Sequence, residues 1–139
     1  MKQLPSKERL LLNFSHCNSW EEKYLYIIEL GKCLLPFQES MRNSKNLISG
    51  CQSQTWIVVK IEKNGKVKLY GDSNASITKG LIAIVFSIYH DLTSEEIISY
   101  NVKPFFDSLK LTQHLTPSRS QGLGAIVESI RSMISTHQS

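Results

Sequence analysis

The sequence predicts an α+β fold, with a small antiparallel sheet flanked by helices in a two-layer domain. Three observations carry that expectation. Two adjacent stretches alternate apolar and polar residues on either side of Asn64-Gly65, the pattern of one β-hairpin. Helix-start signals stand at Ser19-Trp20-Glu21-Glu22 and Thr93-Ser94-Glu95-Glu96. Towards the carboxyl terminus, Leu123, Ile126, Val127, Ile130 and Ile134 recur at helical spacing.

Ser6 can cap a first helix that runs to about Phe14 and offers Leu10, Leu11 and Phe14 for burial. Ser19, with Glu22 three residues on, forms a capping box that opens a second helix to about Lys32. Pro36 stops any continuation, and the polar stretch 38–46 reads as loop. In the hairpin, Ile57, Val59 and Ile61 share one strand face, and Val67 and Leu69 share the matching face of the next. A strict two-residue turn would set Ile61 opposite Lys68. Pairing Ile61 with Val67 keeps apolar opposite apolar and leaves Lys63-Asn64-Gly65 as a three-residue loop, with Gly65 left-handed.

From about Ser76 to Tyr89 the chain is apolar nearly all round a helix, which places that helix in the core. The Thr93 box starts a short helix, Val102-Lys103-Pro104 breaks it, and a turn or short helix continues through Leu109. The segment 111–117 shows no periodicity, and the last helix begins at about Ser118 or Ser120.

At 139 residues the chain suits a single domain spanning 1–139. An apolar share of 41% with 20% charged residues excludes disorder and fibrous repeats. The longest apolar stretch, Leu81 to Tyr89, is far short of the ~20 residues of a membrane helix, so no membrane contact is expected. The start, Met1 to Ser6, has a basic residue with no apolar region behind it and reads as no secretory signal. Three cysteines in such a chain suit free thiols in a reducing compartment, the cytoplasm. Net charge is +4, but the segment 42–79 alone holds seven basic residues against Glu62 and Asp72, a local +5. Such a surface suits nucleic acid, an acidic protein or only water. Trp56 and Tyr70 among the lysines would be the stacking residues of a small basic nucleic-acid-binding module, but a solvated lysine face is the commoner case and no nucleic-acid partner is expected.

The loop Ser49-Gly50-Cys51-Gln52-Ser53-Gln54 carries the most chemistry. A cysteine behind glycine sits where the backbone can take conformations closed to other residues. Gly50, Gln52 and Ser53 are the loop's support, and its donors would favour a thiolate, the nucleophilic form, by lowering the pKa of Cys51. A cysteine-dependent hydrolase would need His16, His90 or His114 as base. Cys17, Cys33 and Cys51 lie 16 and 18 residues apart with no C-x-x-C pair, a weak pattern for zinc or an iron–sulfur cluster, so no metal is expected. Ser118-Arg119-Ser120 at a helix start suits either an anion contact or a plain cap with a solvated arginine.

Gly50-Cys51-Gln52-Ser53-Gln54-Thr55-Trp56 resembles the cysteine motif of the SufE family, the sulfur acceptors of iron–sulfur cluster assembly. Trp20-Glu21-Glu22-Lys23-Tyr24, Gly71-Asp72-Ser73 and the stretch from Leu115 to Leu123 support the match, which runs in order over almost the whole chain. Asn74 stands where the resemblance leads one to expect an acidic residue. The resemblance implies a fold similar to the IscU-type scaffolds and a partner, the pyridoxal-phosphate (PLP) cysteine desulfurase SufS. Cys51 would take a persulfide sulfur from it and pass that sulfur to the SufBCD scaffold complex. The PLP would belong to the partner and this chain would hold no cofactor; a homodimer is compatible with the sequence. The resemblance also places Asp72, Ser73, Asn74 and Arg119 at the partner interface, and because a persulfide is easily reduced or oxidised, Cys51 is expected to be mostly buried at rest, beside Ile48 or the strand pair.

Overall fold

Seven helices and one antiparallel hairpin follow one another among the residues described by the computed structural model, 3–138, with side chains described as far as 136. Met1, Lys2 and Ser139, the ends of the sequence reading, lie outside them. The order is α1 (Lys7–Ser15), α2 (Trp20–Gly31), β1 (Thr55–Ile61), β2 (Val67–Ser73), α3 (Ser76–Tyr89), α4 (Ser94–Ser99), α5 (Lys103–Ser108), α6 (Leu111–His114) and α7 (Pro117–Gln138). The expected α+β arrangement, helices packed against a two-stranded antiparallel sheet, is what forms.

The core is built around α3, buried from Ile77 to Tyr89 apart from Lys79. The hairpin lays Ile57, Val59, Val67 and Leu69 on one side of that core, and α2 adds Ile27 and Leu30. Further along the chain, α7 closes it with Leu123, Ile126, Val127, Ile130 and Ile134, the residues its periodicity picked out. Where α2 crosses α3 the backbones nearly touch. A Cβ on Gly80 would overlap the carbonyl oxygen of Ile27, and one on Gly31 would lie 2.9 Å from the Gly80 nitrogen.

The hairpin register is the apolar-on-apolar one, with Ile61 opposite Val67 and Val59 opposite Leu69. Its turn closes with Glu62 N–H donating to Lys66 O at 2.8 Å, and Gly65 takes φ +85°. Capping follows the side-chain logic of the sequence. Ser6 accepts from Arg9 N–H, and Thr93 and Glu96 complete both halves of their box at 3.2 and 2.9 Å. At α2 only half of the box closes: Ser19 accepts from Glu22 N–H, while Glu22 Oε1 reaches one residue further back to Asn18 N–H.

Four expectations are corrected. Leu11 is exposed, because Leu10 and Phe14, a helical turn apart, define the buried face of α1 and Leu11 lies about 100° around from Leu10. Ile61, at the last position of β1 beside the turn, is also exposed. The stretch 38–46 is not plain loop: it holds a 3₁₀ turn, Glu39–Met41, and its end and the residues after it hook onto the free edge of β1. That hook is Ile57 N–H to Asn46 O at 3.0 Å and Ile48 N–H to Thr55 O at 2.9 Å. Finally, 111–117 contains α6, one turn too short to show a period, and α7 begins at Pro117 rather than at Ser118 or Ser120. Proline suits that first position, whose N–H would have no partner, and Thr116 caps the helix by accepting from Arg119 N–H.

Candidate functional site

The loop 49–54 is closed at its base by the Ile48–Thr55 hydrogen bond and lies against the first turns of α7. Gly50 is there for two reasons. Its φ of +93° suits only glycine, and a Cβ would come within 2.8 Å of the Ala125 Cβ. This pinned corner sets Cys51 on the helix, with its thiol donating to the carbonyl oxygen of Gly122 at 3.8 Å. Cys51 is half-buried and packs, like Ile48, against the edge of the core. Cys51, Gln52, Thr78, Leu81, Ser118, Arg119 and Gly122 enclose a cavity of about 10 Å³, near the least that can hold one water.

Beside the thiol runs a chain of hydroxyls. Ser73 donates to Gln54 O at 2.9 Å and accepts from Ala75 N–H at 3.3 Å. Thr55 and Ser53 lie 3.1 and 3.2 Å from the same Ser73 oxygen. Ser53 reaches on to Thr78 at 3.4 Å, and Thr78 accepts from Arg119 Nη1 at 2.9 Å. Arg119 therefore touches the Cys51 loop through one intermediate, buried Thr78 on α3. Asn74 donates to the Gln54 side chain at 2.8 Å and its N–H to Gln54 O at 3.1 Å. Asp72 is buried, pairs with Arg42, and has Lys79 Nζ 3.5 Å from its other oxygen. Arg42 also lies over the rings of Phe37 and Trp56, at 5.2 and 5.4 Å, and so clamps the segment around it onto β1 and β2.

The structure thus brings Cys51, Gln52 and Arg119 around one cavity, with Gly50 seated on Ala125, Ser53 linking Ser73 to Thr78, Asn74 bonded to the loop and Asp72 next along β2. Cys51 is partly buried at the cavity, against the core edge that Ile48 also meets, and one expectation for it changes. Its pKa is raised, not lowered: burial favours the neutral thiol and outweighs the hydrogen bond from Thr55. At rest Cys51 is a protected thiol.

Sequence reading missed Thr78, Thr55 and Arg42. Thr78 sat inside an apolar helix, where a lone threonine reads as filler, and Arg42 was only a charge in a basic stretch. A polar residue on a helix otherwise apolar all round was the available signal.

His16, His90 and His114 lie elsewhere. His114 stacks on Trp20 at 4.8 Å, His16 ends α1, and His90 follows α3 at a separate cavity of about 490 Å³ that Cys33 also lines. Among the described residues no imidazole acts on the Cys51 thiol. Cys17 and Cys33 donate to carbonyls of their own helical segments, Asn13 O at 3.6 Å and Glu29 O at 3.7 Å. Burial raises both their pKa values. No group of three His, Cys, Asp or Glu side chains is gathered to hold a metal ion among the described residues. Trp56 is buried under Arg42, away from any base it could stack on. No helix among the described residues is long and apolar enough to cross a membrane.

Comparison with known proteins gives two results. The family model of SufE, described as an Fe-S metabolism associated domain, matches residues 8–134. Among solved structures, the solution structure of a hypothetical protein from Thermus thermophilus is similar with a TM-score of 0.75 and 18% identity, covering 96% of each chain. At that identity the likeness speaks for the fold.

Proposed function

Because the chain belongs to the SufE family, with its association with Fe–S metabolism, we propose that Cys51 carries sulfane sulfur as a persulfide. The donor is a PLP-dependent cysteine desulfurase of the SufS type, which this chain also stimulates, and the acceptor is the SufBCD scaffold complex. The exchange is placed in the cytoplasm, and PLP is the partner's cofactor.

The observation that carries the reading is a cysteine on a short loop, tucked against a helix and held there by breakable polar contacts, with no base beside it among the described residues. A hydrolase would need that base in reach at every turnover. A carrier needs its thiol shielded between partners and deprotonated only in the encounter. On docking, Cys51 leaves Gly122 and its apolar surroundings, and its pKa falls towards the ordinary value as water or partner groups solvate the thiolate. The thiolate attacks the outer sulfur of the donor persulfide. A new S–S bond forms at Cys51, the donor's S–S bond breaks, and the donor cysteine leaves as a thiolate that takes up the proton Cys51 lost. The exchange is redox-neutral. Asp72, Ser73, Asn74 and Arg119 border the loop, and we assign them to the docking surface.

The test is mass spectrometry after mixing the protein with a SufS-type desulfurase and cysteine. A mass increment of one sulfur atom is expected on the peptide containing Cys51. Cys51→Ser should still bind the desulfurase yet neither gain sulfur nor stimulate it, whereas Cys17→Ser and Cys33→Ser should retain most activity. Full stimulation by Cys51→Ser, or sulfur on another cysteine alone, would overturn the reading.

A further inference from the structure

The outer face of the hairpin holds an arrangement that works against folding. Lys60 on β1 and Lys68 on β2 are direct cross-strand partners, and both are exposed. Like charges placed directly opposite destabilise a sheet. Neither lysine forms an ion pair among the described residues, whereas Lys66 at the turn pairs with Asp91 at 2.9 Å and Lys79 with Asp72. Both ammonium groups gather at the ring of half-buried Tyr70, at 5.4 and 5.9 Å. The result is a concentrated, uncompensated positive site with an aromatic floor.

Its position in the sheet gives it a partner. Lys68, Tyr70 and Asp72 alternate along one face of β2, and Ser73 and Asn74 beyond them are bonded to the Cys51 loop. Four residues of strand put Lys68 ~13 Å from Asp72. Arg42, laid over Asp72 and Trp56, covers the stretch between, so a protein docked over Cys51 that extends across the Arg42 segment reaches the lysine pair. We infer that Lys60, Lys68 and Tyr70 form a second contact for the sulfur donor, gripping an acidic segment of that protein to one side of its persulfide cysteine. This inference rests on the reading of Cys51 as carrier.

Nucleic acid fits less well. Tyr70 already has two ammonium groups at its ring and Trp56 is buried, so neither ring is open to stack on a base. An acidic protein segment needs only a local match, and such charge pairing mainly speeds and orients encounter.

The experiment measures desulfurase binding by fluorescence anisotropy at low and moderate ionic strength. It compares the wild type, Lys60→Gln/Lys68→Gln, and a charge-matched control, Lys32→Gln/Lys103→Gln. The strip variant should bind about tenfold more weakly at low salt, lose most of the salt dependence, and keep a Tm within about 3 °C of wild type. The control should bind like wild type. Equal weakening in both variants would reduce the effect to net charge and overturn the inference. So would unchanged desulfurase binding, including the case where the strip variant instead loses affinity for a DNA duplex. Persulfide formation on wild-type Cys51 separates the two ideas. If it occurs while the strip variant binds normally, only the strip falls; if wild type neither binds nor accepts sulfur, both fall.

Discussion

The crossing of α2 and α3 and the seat of the Cys51 loop on α7 are both close contacts, made of opposite materials. At the crossing, backbone meets backbone through Gly31 and Gly80, with Ile27 and the apolar side of α3 sealing the seam. Such a contact has one good geometry, because close-packed atoms leave nothing to adjust. At the loop, beyond the Gly50 corner, the contacts are polar: a weak thiol-to-carbonyl bond, the Asn74–Gln54 bonds, and a relay of hydroxyls through Ser53, Ser73 and Thr78 that ends on Arg119. Each of those groups can exchange its partner for water or for a docking protein at little net cost. In the carrier proposed above, the first contact would hold the scaffold while the second opens. A carrier that loosened its core would lose the shape its partner reads, and one that locked its loop would never deliver.

The largest effect should come from breaking the rigid side. Gly80→Ala puts a methyl group into the Ile27 carbonyl, so the helices must separate. A loss of about 3 kcal/mol or more is expected in urea unfolding, with a drop in soluble yield. If Gly80→Ala is as stable as wild type, the seam yields more easily than its geometry implies.

The next effect concerns protonation on the adjustable side. Burial holds the Cys51 thiol above its ordinary pKa. Alkylation by iodoacetamide at neutral pH should therefore be slower than for an unfolded cysteine, and should rise about tenfold per pH unit through about pH 7 to 8. The native state favours the neutral thiol, so this contribution to stability is complete below the unfolded-state pKa and is lost as pH rises through the higher native one. Adding the desulfurase should speed alkylation, or block it by covering the loop. A rate that is flat with pH would mean the thiol is already ionised at rest.

The smallest effect tests the relay. Thr78→Val keeps the shape of α3 but removes the oxygen that joins Arg119 to Ser53. About 1 kcal/mol of stability should be lost, and Cys51 alkylation should quicken by a few fold as the loop loosens. A slower reaction in this variant would show that the relay exposes the thiol instead of shielding it.

The two regions also differ in how far the sequence discloses them. The apolar sweep from Ser76 to Tyr89 announced a core helix, and the pairing of Ile61 with Val67 followed from matching apolar faces alone. Periodicity and capping are local signals, written within a few residues. The Cys51 motif was legible too, as was its nearness to Arg119 and Asn74, through the family resemblance. Shelter for the thiol was expected too, but not its neighbour on α7, Gly122, some seventy positions on, nor the raised pKa that burial brings. Likewise Arg42 meets Asp72 across thirty residues. Thr78 becomes a hub only once strand, helix and loop have converged on it. Leu11 shows the local limit: three apolar candidates in one turn of helix, with only the third dimension to say which face turns in.

The hydrogen bond from Ile48 to Thr55 has a consequence for delivery. It ties both ends of the loop 49–54 together at the sheet, so the loop is a short, doubled tether. Six residues folded back on themselves project no more than ~10 Å. Cys51 therefore stays within arm's length of the protein surface. For the carrier proposed above, donor and acceptor would each have to come up against this one surface, and the sulfur would move between them with the whole protein, one encounter after another.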